Sequence, residues 1–200
     1  MDTPLIPLLR EGTTANRETD MDAKGVAFLA RKSLIGEQFG KEKWEAFLAE
    51  QAEREPYFKT AVLPTTLIPI DIFLRFNEEI IARFFRGDEK AYLVVGEKTA
   101  EYSLVDGPYK TYLKSHDYQR LVEDSIPKLW LKFYTDGRVE TTYSKGGAEA
   151  TIMDLPVKHP YFEFAVVGYM KKTLELAGAK GVRFKKVDDE TTHYTFKFAE

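Results

Sequence analysis

The chain contains no cysteine. That single absence removes disulfides, thiol nucleophiles, thiolate metal sites and S-acylation together, and it fits a reducing compartment. Positive charge is not in excess either. Twenty-nine Lys and Arg against 32 Asp and Glu leave a net charge of −3, which argues against bulk nucleic-acid binding. No positively charged segment precedes an apolar run near Met1, so a signal peptide is not expected. Long hydrophobic runs are also missing. The most apolar window, 61–74, is broken by Pro64, Pro69 and Asp71, and it falls short of the roughly 20 residues that span a bilayer. The expectation is a soluble cytoplasmic protein with no membrane span.

Catalytic signatures are equally scarce. Three histidines occur, His116, His159 and His193, and none stands in a Gly-x-Ser-x-Gly or metal-ligand context. His159 reads as a loop or capping residue ahead of a helix. There is no phosphate loop and no dinucleotide fingerprint. The carboxylate pairs Glu78-Glu79, Asp88-Glu89 and Asp188-Asp189 fall where solvated surface charge is expected. These absences point away from an enzyme and toward a protein without metal or cofactor.

What the chain does have is apolar material for a core. With 44% apolar and 14% aromatic residues, 21–200 reads as a single α+β domain behind a polar N-terminal tail, 1–20. That tail reads as disordered, or else its Leu5-Ile6-Pro7-Leu8-Leu9 segment docks onto a groove of its own or of a neighbouring subunit. Residues 25–29 start a helix or fill a core slot. Lys41–Arg54 reads as a helix with Trp44, Phe47, Leu48 and Gln51 on one face. The proline-bearing link 55–69 is extended and apolar enough to cross a buried surface. A helix over 71–86 carries the stripe Phe73, Phe76, Ile80 and Phe84. Another, 88–104, carries Tyr92, Val95, Thr99 and Tyr102, with Gly96 placed for close helix approach. A further helical stripe, Tyr109, Tyr112, Leu113 and His116, leads to a segment that Asp117 recaps and that ends before Pro127.

The second half predicts ββ-α-ββ. Residues 129–134 read as a strand, Asp136-Gly137 as its tight turn, and 139–143 as the returning strand. Residues 146–156 read as loop or a short edge segment. A helix over 160–178 carries Phe162, Ala165, Val166, Tyr169, Met170, Thr173, Leu174 and Ala177 on one stripe. A second hairpin follows, with a strand around 182–187, a turn at Asp188-Asp189-Glu190, and a strand over 193–198. In the last of these Tyr194, Phe196 and Phe198 share one face. The first half of the 160–178 helix is apolar on its other side as well, at Tyr161, Phe164, Val167 and Gly168. Either the N-terminal helices or a second subunit must cover it, and a homodimer is the expectation.

This order of elements carries Gly40-Lys41-Glu42-Lys43-Trp44-Glu45, Asp106-Gly107-Pro108-Tyr109-Lys110, Ile126-Pro127-Lys128-Leu129-Trp130 and His159-Pro160-Tyr161-Phe162-Glu163. Over 23–198 it resembles a bacterial, myxobacterial-type paralogous family of unknown function. It also resembles the wider superfamily of haem-nitric-oxide (H-NOX) domains, vinyl-reductase-like ligand domains and small TRAPP trafficking subunits. The resemblance implies N-terminal helices packed with a ββ-α-ββ unit that forms a four-stranded antiparallel sheet. Its H-NOX branch implies a haem held by one histidine, for which His116 is the candidate, and a Tyr-x-Ser-x-Arg clamp on the propionates. In this chain Tyr143 and Ser144 are adjacent and no arginine follows, so the bidentate partner is missing. The TRAPP branch implies an apolar tunnel. Phe73, Phe76, Ile80 and Phe84, with Tyr112 and His116, are the candidate lining, and simple core filling is the competing account. Three readings follow: an apolar-ligand-binding or sensing domain in bacterial signalling, a dimeric scaffold without ligand, and a haem-based gas sensor.

Overall fold

A computed structural model describes residues 19–113, 116–188 and 191–200. The N-terminal segment Leu5–Leu9 and Asp189-Glu190 of the second hairpin lie outside the described residues. Strand β1 (Asp22–Lys24) pairs antiparallel with β2 (Leu67–Pro69), and each feeds directly into a helix: α1 (Gly25–Phe39) and α3 (Ile70–Phe84). Between them run α2 (Lys41–Arg54) and a loop. The loop buries Phe58 and β2 buries Ile68, but Leu63 and Leu67 are exposed, so most of the apolar link does not cross a buried surface. Phe28, Trp44, Phe47, Phe58 and Phe76 stack into one aromatic cluster that ties α1, α2 and α3 together. Helix α4 (Ala91–Glu101) follows and ends in a wide π turn.

Two expectations are corrected next. The stripe from Tyr109 to His116 is not an α-helix over its described residues. Lys110–Tyr112 makes a single 3-10 turn, and His116 sits at φ +59° in a turn of its own. The chain then restarts as α5 (Tyr118–Arg120), where the Asp117 carboxylate accepts from the Arg120 N–H. Residues 129–134 are not a strand but the body of α6 (Ile126–Phe133). Ile126, Leu129, Trp130 and Phe133 are buried at i, i+3, i+4 and i+7, which is a helical period.

Pro127 does not stop this helix, because a π turn over Leu121–Ser125 joins α5 to α6. The wider turn bonds Ile126 N–H to Leu121 O, five residues back. The next carbonyl in that register, Val122 O, faces a proline with no N–H. It accepts from the Thr141 hydroxyl instead, at 2.5 Å.

The first hairpin therefore lies later than expected. Strand β3 (Arg138–Ser144) pairs with β4 (Gly147–Met153) across Lys145-Gly146, with Gly146 at φ +72°. Helix α7 (Pro160–Leu176) leads to β5 (Lys180–Lys186) and β6 (His193–Ala199). The sheet is antiparallel in the order β3-β4-β6-β5. Val139, Ala150, Ile152, Tyr194, Phe196 and Phe198 fill its buried face, which meets α7 and the α5–α6 segment.

Helix α7 is the central layer. The sheet lies on one side and α4 on the other, at glycine-mediated contact. A Cβ on Gly96 would fall 1.9 Å from Ala165 O, and one on Gly168 would fall 2.2 Å from Leu93 O. Only glycine permits that approach. The second face of α7 is thus covered by α4 of the same chain, so it supplies no argument for a second subunit. Beyond the glycines the interface turns ionic. Lys171 meets Glu97 at 2.7 Å and Lys172 meets Glu101 at 2.7 Å. No helix of the described residues is long and apolar enough to cross a membrane.

Candidate functional site

Helix α1 buries Val26, Ala27, Ala30 and Leu34, and on that face stands Arg31, 0% exposed. A buried guanidinium must be hydrogen-bonded to be tolerated. Each of its three nitrogens finds a partner on a different helix. Nε donates to Asn77 Oδ1 on α3 at 2.8 Å, Nη1 to Thr99 Oγ1 on α4 at 2.5 Å, and Nη2 to the Tyr161 hydroxyl on α7 at 2.7 Å. The network goes one step further, from Tyr161 to the hydroxyl of Tyr134 at 2.9 Å. The guanidinium carbon lies 5.5 Å from the centroids of both Phe73 and Tyr161, a cation–π arrangement. All the partners are neutral. No carboxylate pairs with Arg31 among the described residues.

The partners are themselves fixed. Asn77 Nδ2 donates to Phe73 O and Thr99 Oγ1 donates to Val95 O, so both side chains point one way only. His159 caps α7, as its position suggested. Its Nδ1 accepts from Tyr161 N–H and its Nε2 lies 3.0 Å from Glu78 Oε1. Burial, then the neighbouring Tyr161, push the Tyr134 phenol well above its ordinary range, so it stays protonated. Burial also raises Tyr169 and Tyr92.

Beside this network is a cavity of about 40 Å³. Trp130 and Phe133 of α6, Val139 of β3, and Ala165, Tyr169 and Met170 of α7 give it apolar walls. Thr99, Tyr134 and Tyr161 form a single polar corner, the same three groups that lead to Arg31.

None of the six residues singled out in the sequence lines this cavity. Phe73, Phe76 and Ile80 are buried in the helical core, with Phe73 against Arg31. Phe84 is half-buried against Phe39 and Phe47. Tyr112 packs on Tyr109 in a small separate cluster. His116 is exposed, next to Gly178 and 3.4 Å from the Tyr118 hydroxyl. Sequence reasoning missed Arg31, Thr99, Tyr134 and Tyr161 as a group. The available signal was an arginine at the centre of an otherwise small and aliphatic helical stripe.

No family model matches the sequence, and no curated protein matches it. The fold, however, matches solved structures of H-NOX proteins. A variant of Tt H-NOX aligns with a TM-score of 0.66 at 13% identity, over 88% of this chain and 95% of that one. An unliganded Fe(II) H-NOX variant from K. algicida gives 0.58 at 16% identity, over 88% and 97%. An H-NOX protein from S. oneidensis in the Fe(II)NO state gives 0.61 at 10% identity, over 88% and 97%.

That fold raises the question of haem, and the residues present do not fit it. The cavity of about 40 Å³ is far below the roughly 300 Å³ at which pockets for drug-sized ligands begin. No histidine lines it: His116 is exposed, His159 is committed to Tyr161 and Glu78, and His193 lies 3.6 Å from Glu149 on the outer sheet face. Tyr143, at the expected clamp position, donates to Glu200 instead. No group of three or more metal-ligating His, Asp or Glu side chains occurs among the described residues. The chain has the H-NOX-like α+β fold, built around a small aromatic-walled cavity that does not fit a porphyrin.

Proposed function

We propose that the chain is a non-catalytic sensing domain, acting in the bacterial cytoplasm, that holds a very small molecule in the cavity between α4, α6, α7 and β3. The observation that supports this reading is the cavity's construction. Its walls are apolar, and its one polar corner is held by a network that reaches α1, α3, α4, the end of α6 and α7. A few convergent polar groups in an apolar enclosure are the usual form of a ligand site. Occupancy would be felt at once by five helices, which is what a sensing domain needs.

Xenon tests the site without assuming ligand chemistry, because apolar cavities take it up. Under xenon pressure, methyl NMR shifts should concentrate on Met170, Val139, Ile126 and Leu129, all of which line the cavity. Val166→Phe, which fills the space from its edge, should remove them. Shifts scattered over surface methyls, unchanged in the variant, would remove the cavity from consideration as a ligand site.

A further inference from the structure

The polar corner holds more donors than acceptors. Arg31 carries five N–H groups, and three of them have partners among the described residues. The two phenols share one hydrogen bond with each other, and Tyr161 already accepts from Arg31. Whichever phenol donates to the other, one hydroxyl proton is left with no acceptor among the described residues. Asn77 and Thr99 give no relief, since the amide and hydroxyl protons they use go to Phe73 O and Val95 O. Arg31 is 0% exposed, Tyr161 2%, Thr99 5% and Tyr134 6%. Bulk water therefore compensates neither the surplus donors nor the unpaired positive charge.

We infer that this corner is a receptor for a small monoanion, held by the hydroxyl proton that the Tyr134–Tyr161 pair leaves free, with Arg31 behind the pair through its hydrogen bond to Tyr161. The inference rests on the cavity being the ligand site, and it names the ligand's chemistry. A buried charge is tolerated best when paired. A water molecule supplies lone pairs but leaves the guanidinium charge unbalanced. An anion supplies both. Guanidinium donation to Tyr161 polarises that phenol and makes its own proton a stronger donor to an anion. The space sets the size. About 40 Å³ compares with the roughly 10–15 Å³ that a single water-sized sphere needs on the same measure, which limits the ligand to roughly two or three heavy atoms. The apolar walls favour weakly hydrated, polarisable anions over compact, strongly hydrated ones. Azide and nitrite have the right charge, size and softness to serve as probes.

The test is titration of the full chain with sodium azide at constant ionic strength, balanced by sodium sulfate, whose anion is too large for the space. Melting temperature and the azide infrared stretch are the readouts. Saturable stabilisation is expected, with a bound azide band distinct from the free one. Tyr134→Phe and Tyr161→Phe each remove one hydroxyl with little change of shape, and each should weaken binding by about ten-fold. Arg31→Met should abolish it. Because that variant can fail to fold, the two phenylalanine variants decide. No saturable azide effect, in a protein whose cavity still takes up xenon, would overturn the anion and leave the cavity reading standing. Equal azide affinity in wild type and both phenylalanine variants would also overturn it. Failure of both xenon and azide would remove the cavity reading itself.

Discussion

Arg31 shows what a single residue can demand of a core. Its neighbours on the buried face of α1 are Ala27, Ala30 and Leu34, and nothing in that local pattern calls for a cation. Three helices answer it with Asn77, Thr99 and Tyr161. Removing one partner leaves a buried charged donor unsatisfied, which costs more than the hydrogen bond contributes. Asn77→Leu should therefore destabilise the protein by about 2–4 kcal/mol, read as a lower urea midpoint with an unchanged slope. An unchanged midpoint would mean that Arg31 is not confined as described. Thr141 plays a smaller part of the same kind, since its hydroxyl serves the carbonyl that Pro127 cannot. Thr141→Val should cost about 1 kcal/mol, and native-state hydrogen exchange should locate the loss in the α5–α6 segment.

At the scale of elements, the α4–α7 crossing is held first by glycine and then by charge. Gly96→Ala would push a methyl to 1.9 Å from Ala165 O, a backbone atom that cannot step aside alone. A loss of about 2–3 kcal/mol is expected, at the upper end of overpacking costs. Gly168→Leu should disturb the fold far more than Lys171→Leu, because Gly168 faces Leu93 O whereas Lys171 is a half-buried ion-pair member. Gly36 provides the control. It lies within α1 with nothing within 4 Å of an added Cβ, so Gly36→Ala should stabilise by roughly 0.5–1 kcal/mol. Thermal melts of the four variants give the ranking, and a Gly96→Ala protein as stable as Gly36→Ala would refute the close crossing.

The same scale explains what could be read from the residues alone. Helix α7 and strand β6 were legible because each buries one face at its own period, 3.6 or 2. Helix α6 was not, because Leu129 to Tyr134 is a short apolar and aromatic run in which both periods fit. Pro127 also looked like a stop until the π turn showed how a helix passes it. Strand β4 was missed because Ala148 and Ala150, though buried, carry too little apolar surface to mark an alternation. The cavity was beyond reach for a different reason. Its walls come from α4, α6, β3 and α7, and no local pattern records which side chains of distant elements fail to fill the space between them.

For the whole molecule, the buried phenols make alkaline pH the informative axis. Burial raises Tyr92, Tyr134 and Tyr169 well above the ordinary value of 10.0 and raises Tyr194 to about 12. A phenol raised in the folded state is held neutral there, while in the unfolded chain it ionises near pH 10.0. The unfolded state thus releases protons that the folded state keeps. The stability linked to these groups is complete below pH 10.0 and is lost as the pH climbs above it. Four such groups sit on α4, at the end of α6, on α7 and on β6, so their ionisation acts on the helical layer and the sheet together. Tyrosinate absorbance from these residues should accordingly rise in one cooperative step, coincident with loss of far-UV circular dichroism. Tyr134→Phe should reduce the amplitude of that step and move its midpoint to higher pH, because one fewer ionisation then favours unfolding. Gradual titration of every tyrosine while the dichroism stays native would mean that the Arg31–Tyr161–Tyr134 corner is open to solvent.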